Sequence, residues 1–140
     1  MRLSTIRKGC ISENIIKNDL LRRNLELYEP VVDDKGIDLL VVYLDSIIRV
    51  QVKGHTYMNT KSSISIRVTP TNADVIAVPW EGNAYYMINR SKNKQWGFSF
   101  AVKPTANNQK EGVRFIHNYS EFPTDNEELW KNQNNTTNQL

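Results

Sequence analysis

The stretch GIDLLVVYLDSIIRVQVKG, residues 36–54, constrains the fold more than any other part of this chain. Two runs rich in Val, Ile and Leu, 37–44 and 47–53, are separated only by Asp45 and Ser46. Residues of this kind favour an extended, pleated backbone, and neither run is long enough for a stable helix. With the Asp-Ser turn signal between them, they predict two antiparallel strands joined as a hairpin. Their apolar character is nearly continuous, which predicts a sheet covered on both faces. Three polar side chains break the pattern: Asp38 heads the first run, and Gln51 and Lys53 close the second. Antiparallel pairing brings Asp38 opposite the 51–53 end, and alternation along the strand sends Gln51 and Lys53 out of one face. A carboxylate, an amide and an ammonium then share one mouth of the sheet.

The other elements set this hairpin in an α/β fold. From Ser12 to Asn24, SENIIKNDLLRRN repeats its apolar residues at helical spacing, with Ser12 as the expected cap and Glu13 in the first turn. Glu13 suits the positive end of a helix dipole and stands four residues before Lys17, while Arg22 and Arg23 suit the other end. LELYEPVV predicts a short strand, placed near a sheet edge by Pro30. After a polar loop, SISIRVT, ADVIAVPW, AYYMINR and WGFSFAV predict four more strands, with EGN as the hairpin signal between the second and third. In TDNEELW, Thr124 and Glu127 have capping-box spacing, so a helix start is expected there.

A chain of 140 residues suits one domain, taken as 1–130, and the Asn-rich 131–140 lacks the apolar surface to order itself. No internal repeat is present. The lone Cys10 cannot form an internal disulfide, which suits a reducing compartment. The start, MRLSTIRKGCISEN, has no apolar stretch of signal-peptide length, and no later run reaches membrane-spanning length. A soluble, cytoplasmic protein with no membrane partner is expected.

The hairpin mouth has a chemistry of its own. Magnesium prefers oxygen donors from one or two carboxylates and retains several waters. Asp38, the Gln51 amide oxygen and the backbone carbonyl of Val52 would form such a set, with Lys53 placed to stabilise charge developing on a phosphate. Glu29, Asp33 and Asp34 crowd the same region, and Asp34 would replace Asp38 if the register were shifted. His55 follows the motif and could touch phosphate.

Taken in order, Glu13 on a first helix, VVDDKGIDLLV on a strand and VQVKG on its partner resemble the PD-(D/E)XK nuclease superfamily. PVVDDKGID is similar to the corresponding stretch of Holliday-junction resolvases, and NADVIAVPWEGNAYYMI to the strand pair that follows the catalytic core. Within the superfamily, Gln51-x-Lys53 in place of the commoner Glu-x-Lys, the short length and the basic second half most resemble bacterial homing endonucleases encoded within group I introns. The likeness covers about residues 10–90. It implies a restriction-endonuclease-like core, a mixed central sheet flanked by helices. It also implies catalytic roles for Glu13, Asp38, Gln51 and Lys53, with Glu13 joining Asp38 and Val52 around Mg2+, or Mn2+ as a substitute. The implied activity is sequence-specific double-strand cleavage of DNA by phosphodiester hydrolysis, in a bacterial cytoplasm and at the nucleoid when DNA is bound. Homotetrameric assembly is implied as well.

Holding DNA requires cations, because phosphate contacts supply most of the affinity. The net charge is only +3, but Arg90, Lys92, Lys94, Lys103, Lys110 and Arg114 stand against the single acid Glu111 over 90–114. Lys61 and Arg67 form a second candidate surface. Because one small domain covers few base pairs, a dimer at minimum is expected. Two other readings share these residues: a nuclease resolving branched DNA by shape, and a DNA-binding module that has lost catalysis through the Gln51 substitution.

Overall fold

The computed structural model describes residues 2–32, 36–54, 62–104 and 112–124. Its first element is a helix, α1, spanning Thr5–Arg22 and capped by Ser4, whose Oγ accepts the Arg7 N–H at 3.2 Å. This helix begins well before the expected Ser12. Its first two turns carry no buried apolar residue, so they give no periodic signal, whereas the cap hydrogen bond alone satisfies an orphan amide. Glu13 therefore lies mid-helix, and the first-turn dipole effect expected for it does not apply. At the other end Asn24 adopts the left-handed φ of 61°, and Asn24 N–H to Leu21 O and Leu25 N–H to Leu20 O close a Schellman motif.

Seven strands follow: β1 Glu26–Tyr28, β2 Leu39–Tyr43, β3 Ser46–Val52, β4 Ser63–Val68, β5 Val75–Trp80, β6 Asn83–Ile88 and β7 Trp96–Ala101. Five of them form a mixed sheet in the order β1-β2-β3-β5-β6, in which only β3 and β5 run parallel. The expected edge position of β1 and the β5–β6 hairpin are both realised. Glu81 and Gly82 turn that hairpin with φ of 49° and 78°, the paired positive angles of a type I′ turn. The first hairpin turns on Leu44 and Asp45 instead of Asp45 and Ser46, giving the register Leu39↔Val50 and Tyr43↔Ser46. This two-residue slip leaves every side chain on its expected face.

α1 covers one face of the sheet through Ile16 and Leu20, which pack with Leu39, Val41, Ile48 and Val50. A second, two-stranded sheet of β4 and β7 covers the other, its Ile64, Ile66, Phe98 and Phe100 meeting Ile76, Val78, Tyr85 and Met87. Among the described residues α1 is the single α-helix, accompanied by one 3₁₀ turn at Ile116–Tyr119. The expectation of flanking helices is thus met on one face only. The burial on both faces expected for β2 and β3 is not realised; β5 and β6 are the strands buried on both faces. A two-stranded sheet is too narrow to span all five strands, so Ile47 on β3 stays 62% exposed. Residues 125–130, with the proposed second helix start, and the 131–140 tail lie outside the described residues.

Candidate active site at the mouth of the first hairpin

The sheet registers decide which polar residues meet. Gln51 pairs with Ile76 in the parallel ladder, so its side chain shares the face of Ile76, the face carrying β4 and β7. Asp38 stands one residue before the Leu39↔Val50 pair, at the end of the hairpin that carries Gln51. Lys53 continues the strand, its N–H donating to Ala77 O at 2.8 Å, and alternation returns it to the side of Gln51. Asp38, Gln51 and Lys53 therefore all stand at one end of the hairpin, where β3 runs on past the start of β2.

Two hydrogen bonds hold Asp38 there. Its N–H donates to Val50 O at 2.9 Å, and its Oδ2 accepts the Val52 N–H at 2.7 Å. Because a strand residue's N–H and C=O point to the same edge, the Val52 carbonyl is directed to the Asp38 side as well. Gln51 is half-buried, and its Oε1 is buried without a hydrogen-bond partner among the described residues. A buried amide oxygen in that condition is destabilising by about 1–3 kcal/mol, unless a donor or cation arrives to satisfy it.

Gly36, which precedes Asp38 in the PVVDDKGID stretch, and Thr71, which the sequence did not single out, shape this pocket. Gly36 holds φ at 69°, and a Cβ there would come within 3.0 Å of both Gln51 Nε2 and Thr71 Oγ1. Buried Thr71 donates to Gly36 O at 3.2 Å and accepts the Ala73 N–H at 3.2 Å. Asn89 then ties this loop to the β6–β7 connection, its Nδ2 donating to Thr71 O and Ala73 O and its Oδ1 accepting Trp96 Nε1–H at 2.9 Å. Nothing in the local sequence pattern announces Thr71 or Asn89, whose roles exist only through contacts distant in the chain.

Glu13 stands on the helix. α1 lies on the opposite face, with the Ser12 hydroxyl seated where a Gly54 Cβ would lie 3.0 Å from it, just past the end of β3. Half-buried Glu13 is the next residue along, and its charge helps to raise the pKa of Lys17, whose main partner is the Glu29 carboxylate. Glu29 is thereby engaged in an ion pair at the surface. Between α1 and the ends of β3 and β5 a cleft of about 260 Å³ opens beside Lys8, Ser12, Gly54 and Trp80. Asp33, Asp34, His55, Lys61 and Lys110 lie outside the described residues.

Of the proposed DNA contacts, Arg67, Arg90 and Lys94 are exposed. Lys92 pairs with Asp74 at 2.8 Å, and half-buried Arg114 lies beside Tyr119 with its Nε buried and without a partner. Trp80, Trp96, Tyr85 and Tyr86 pack in or against the core. Cys10 is a free, exposed thiol. No described helix is long and apolar enough to cross a membrane.

Among the described residues no three His, Cys, Asp or Glu side chains cluster to hold a metal. The oxygen donors that the mouth does offer are one carboxylate, one amide and one peptide carbonyl. Such hard donors fit magnesium, which takes few protein ligands, and the orphaned Gln51 Oε1 is the atom that a cation would satisfy.

A mixed five-stranded sheet with a helix on one face and its polar mouth at the end of β3 defines an endonuclease-like α/β fold. The structure is similar to that of a bacterial homing endonuclease, I-Ssp6803I, with a TM-score of 0.69 over 99% of this chain and 100% of that one, at 14% sequence identity. No protein-family model matches the sequence, and no curated protein is similar to it in sequence.

Proposed function

We propose that this protein is a magnesium-dependent DNA endonuclease of the PD-(D/E)XK kind that cuts both strands of a duplex at a specific sequence, as a homing endonuclease does. The observation that carries the reading is the buried Gln51 Oε1, without a partner among the described residues, at the open end of the hairpin where Asp38 stands. In a purely structural hairpin that amide oxygen would be satisfied or exposed.

Asp38, Gln51 and the Val52 carbonyl would hold the ion, with Glu13 completing the set from the helix side. When bound there, magnesium supplies Lewis-acid polarisation of a phosphate oxygen and a more acidic water. Asp38 is oriented in advance, because the Val52 N–H fixes its Oδ2. Lys53 projects from the same face as Gln51 and supplies a positive charge where negative charge develops on the phosphate, and its ammonium orients the attacking water. Exposed Arg90 and Lys94 contribute phosphate affinity, and exposed Arg67 a further contact to the DNA. Because one subunit offers one such mouth, cutting two strands requires at least a dimer, and a homotetramer accords with the family resemblance.

Incubating a randomised duplex library with magnesium, for the wild type beside Lys53→Ala, tests this reading. Discrete products from the wild type alone support it. Cleavage confined to four-way junctions would point to a branched-DNA resolving enzyme. Binding without cleavage in magnesium or manganese would leave a DNA-binding module.

A further inference from the structure

Beyond the hairpin mouth, β4 and β7 form a ribbon whose inner face is core and whose outer face no described residue covers. Ile64, Ile66, Val68, Phe98 and Phe100 point inward, while Ser65, Arg67, Gly97 and Ser99 are exposed on the other side. The outer face is flat and polar, with Ser65 Oγ and Ser99 Oγ 2.9 Å apart across the strands. Arg67 pairs in register with Gly97, so no side chain covers it from the neighbouring strand. Gly97 is also required by close approach, since a Cβ there would come within 3.0 Å of Ile66 O.

Charge sets the class of partner. Residues 62–73 and 89–104, which hold both strands and their flanks, contain Arg67, Arg90, Lys92, Lys94 and Lys103 and no Asp or Glu. Lys92 is neutralised by Asp74, whereas Arg67, Arg90, Lys94 and Lys103 form no ion pair among the described residues. Arg90 and Lys94 stand on the connection leading into Trp96, at the Arg67 end of the ribbon, and Lys103 lies just past the other end. The ribbon therefore presents a polar floor with unneutralised cations at both ends, complementary to an anionic polymer.

We infer that the outer face of the β4–β7 ribbon enters the DNA major groove, with Arg67 reading a guanine and Ser65 and Ser99 lying against the neighbouring base edges. This rests on the endonuclease reading above. A two-stranded ribbon fits the major groove, about 12 Å wide, and Arg is the side chain that meets guanine O6 and N7 in a bidentate manner. The ribbon stands on the same face of the main sheet as Gln51 and Lys53. Gly36, Thr71 and Asn89 link the two in one chain of contacts, so groove reading and the reactive mouth share a rigid frame.

Sequencing the products cut from a randomised duplex library in magnesium tests the inference, for wild type, Arg67→Ala and Ser99→Glu, each shown to be folded by circular dichroism. Arg67→Ala is expected to lose preference for guanine at one position by about 5- to 150-fold while the rest of the site is retained. Ser99→Glu, which places a carboxylate on the ribbon, is expected to lower cleavage of the whole site by at least roughly tenfold. If wild type cuts a defined sequence and both variants keep its preference and rate, the ribbon inference is overturned while the nuclease reading stands. A loss from Arg67→Ala that is uniform over all sequences makes Arg67 a phosphate contact and overturns base reading. If wild type cuts no duplex, both readings fall together.

Discussion

The Asp38 carboxylate accepts the Val52 amide at 2.7 Å across the end of the first hairpin, one residue along β3 from Gln51. One oxygen of the carboxylate thus takes the place that a further ladder hydrogen bond would occupy where β2 has not yet begun. In Asp38→Asn a side-chain oxygen remains to accept that N–H while the charge is lost. Cleavage in magnesium is expected to fall by at least about 100-fold with little change in Tm. Single-turnover cleavage and thermal melts of the same preparation measure the two effects.

Gln51 separates ligand charge from ligand presence. Gln51→Glu adds a second carboxylate at the hairpin end where Asp38 stands, and the magnesium concentration for half-maximal cleavage is expected to fall by roughly tenfold. Gln51→Leu removes the orphaned amide oxygen and is expected to raise stability slightly while raising the magnesium concentration needed for cleavage. A magnesium titration that leaves all three proteins alike would sink the ligand role.

Gly36 shapes the pocket through its backbone. A methyl group there meets Gln51 and Thr71 at a left-handed φ, so Gly36→Ala is expected to destabilise by about 1–2 kcal/mol and to displace the Gln51 amide. Urea unfolding gives the first quantity. The shift in magnesium requirement gives the second.

Asn89 joins the loop at Thr71 to the β6–β7 connection with hydrogen bonds to Thr71 O, Ala73 O, the Ser91 N–H and the Trp96 indole. Asn89→Ala leaves several of these groups without partners and is expected to destabilise by about 2–4 kcal/mol. Equilibrium denaturation checks the size of the effect. A loss below 1 kcal/mol would mean, by the same reasoning, that water replaces the amide readily.

Tyr86 carries a pH dependence. Its hydroxyl donates to Asp19 Oδ2 at 2.5 Å, and burial, followed by that hydrogen bond and the Asp19 charge, raises its pKa well above the ordinary 10.0. The folded protein keeps this proton where the unfolded chain loses it, so the phenol's contribution is complete below about pH 10 and declines as pH rises further. Tyr86→Phe keeps the edge contact with Phe122 and leaves Asp19 paired with Arg23. It is expected to lower stability at pH 7 by about 1.5–3 kcal/mol and to make the alkaline decline shallower. Urea melts from pH 7 to 11 test both.

Local pattern made much of this protein legible. Alternation and β-branching marked all seven strands, Glu81-Gly82 marked a hairpin turn, and the spacing of Asp38, Gln51 and Lys53 put three polar groups at one mouth, because side-chain direction in a strand follows from parity alone. The start of α1 was hidden, since its first turns bury nothing and so leave no period to read. Parity could not say which face of the sheet would be covered, or how widely. That depended on a ribbon only two strands broad packing over β5 and β6 and leaving Ile47 in solvent. Thr71 and Asn89 were equally silent, because a hydrogen bond between residues far apart in the chain has no signature in either segment alone. The sequence by itself determined the strands, the hairpin and the residue types at its mouth; the tertiary structure decided the parallel β3–β5 pairing, the orphaned Gln51 oxygen and the face on which site and ribbon meet, because these arise only when distant segments pack.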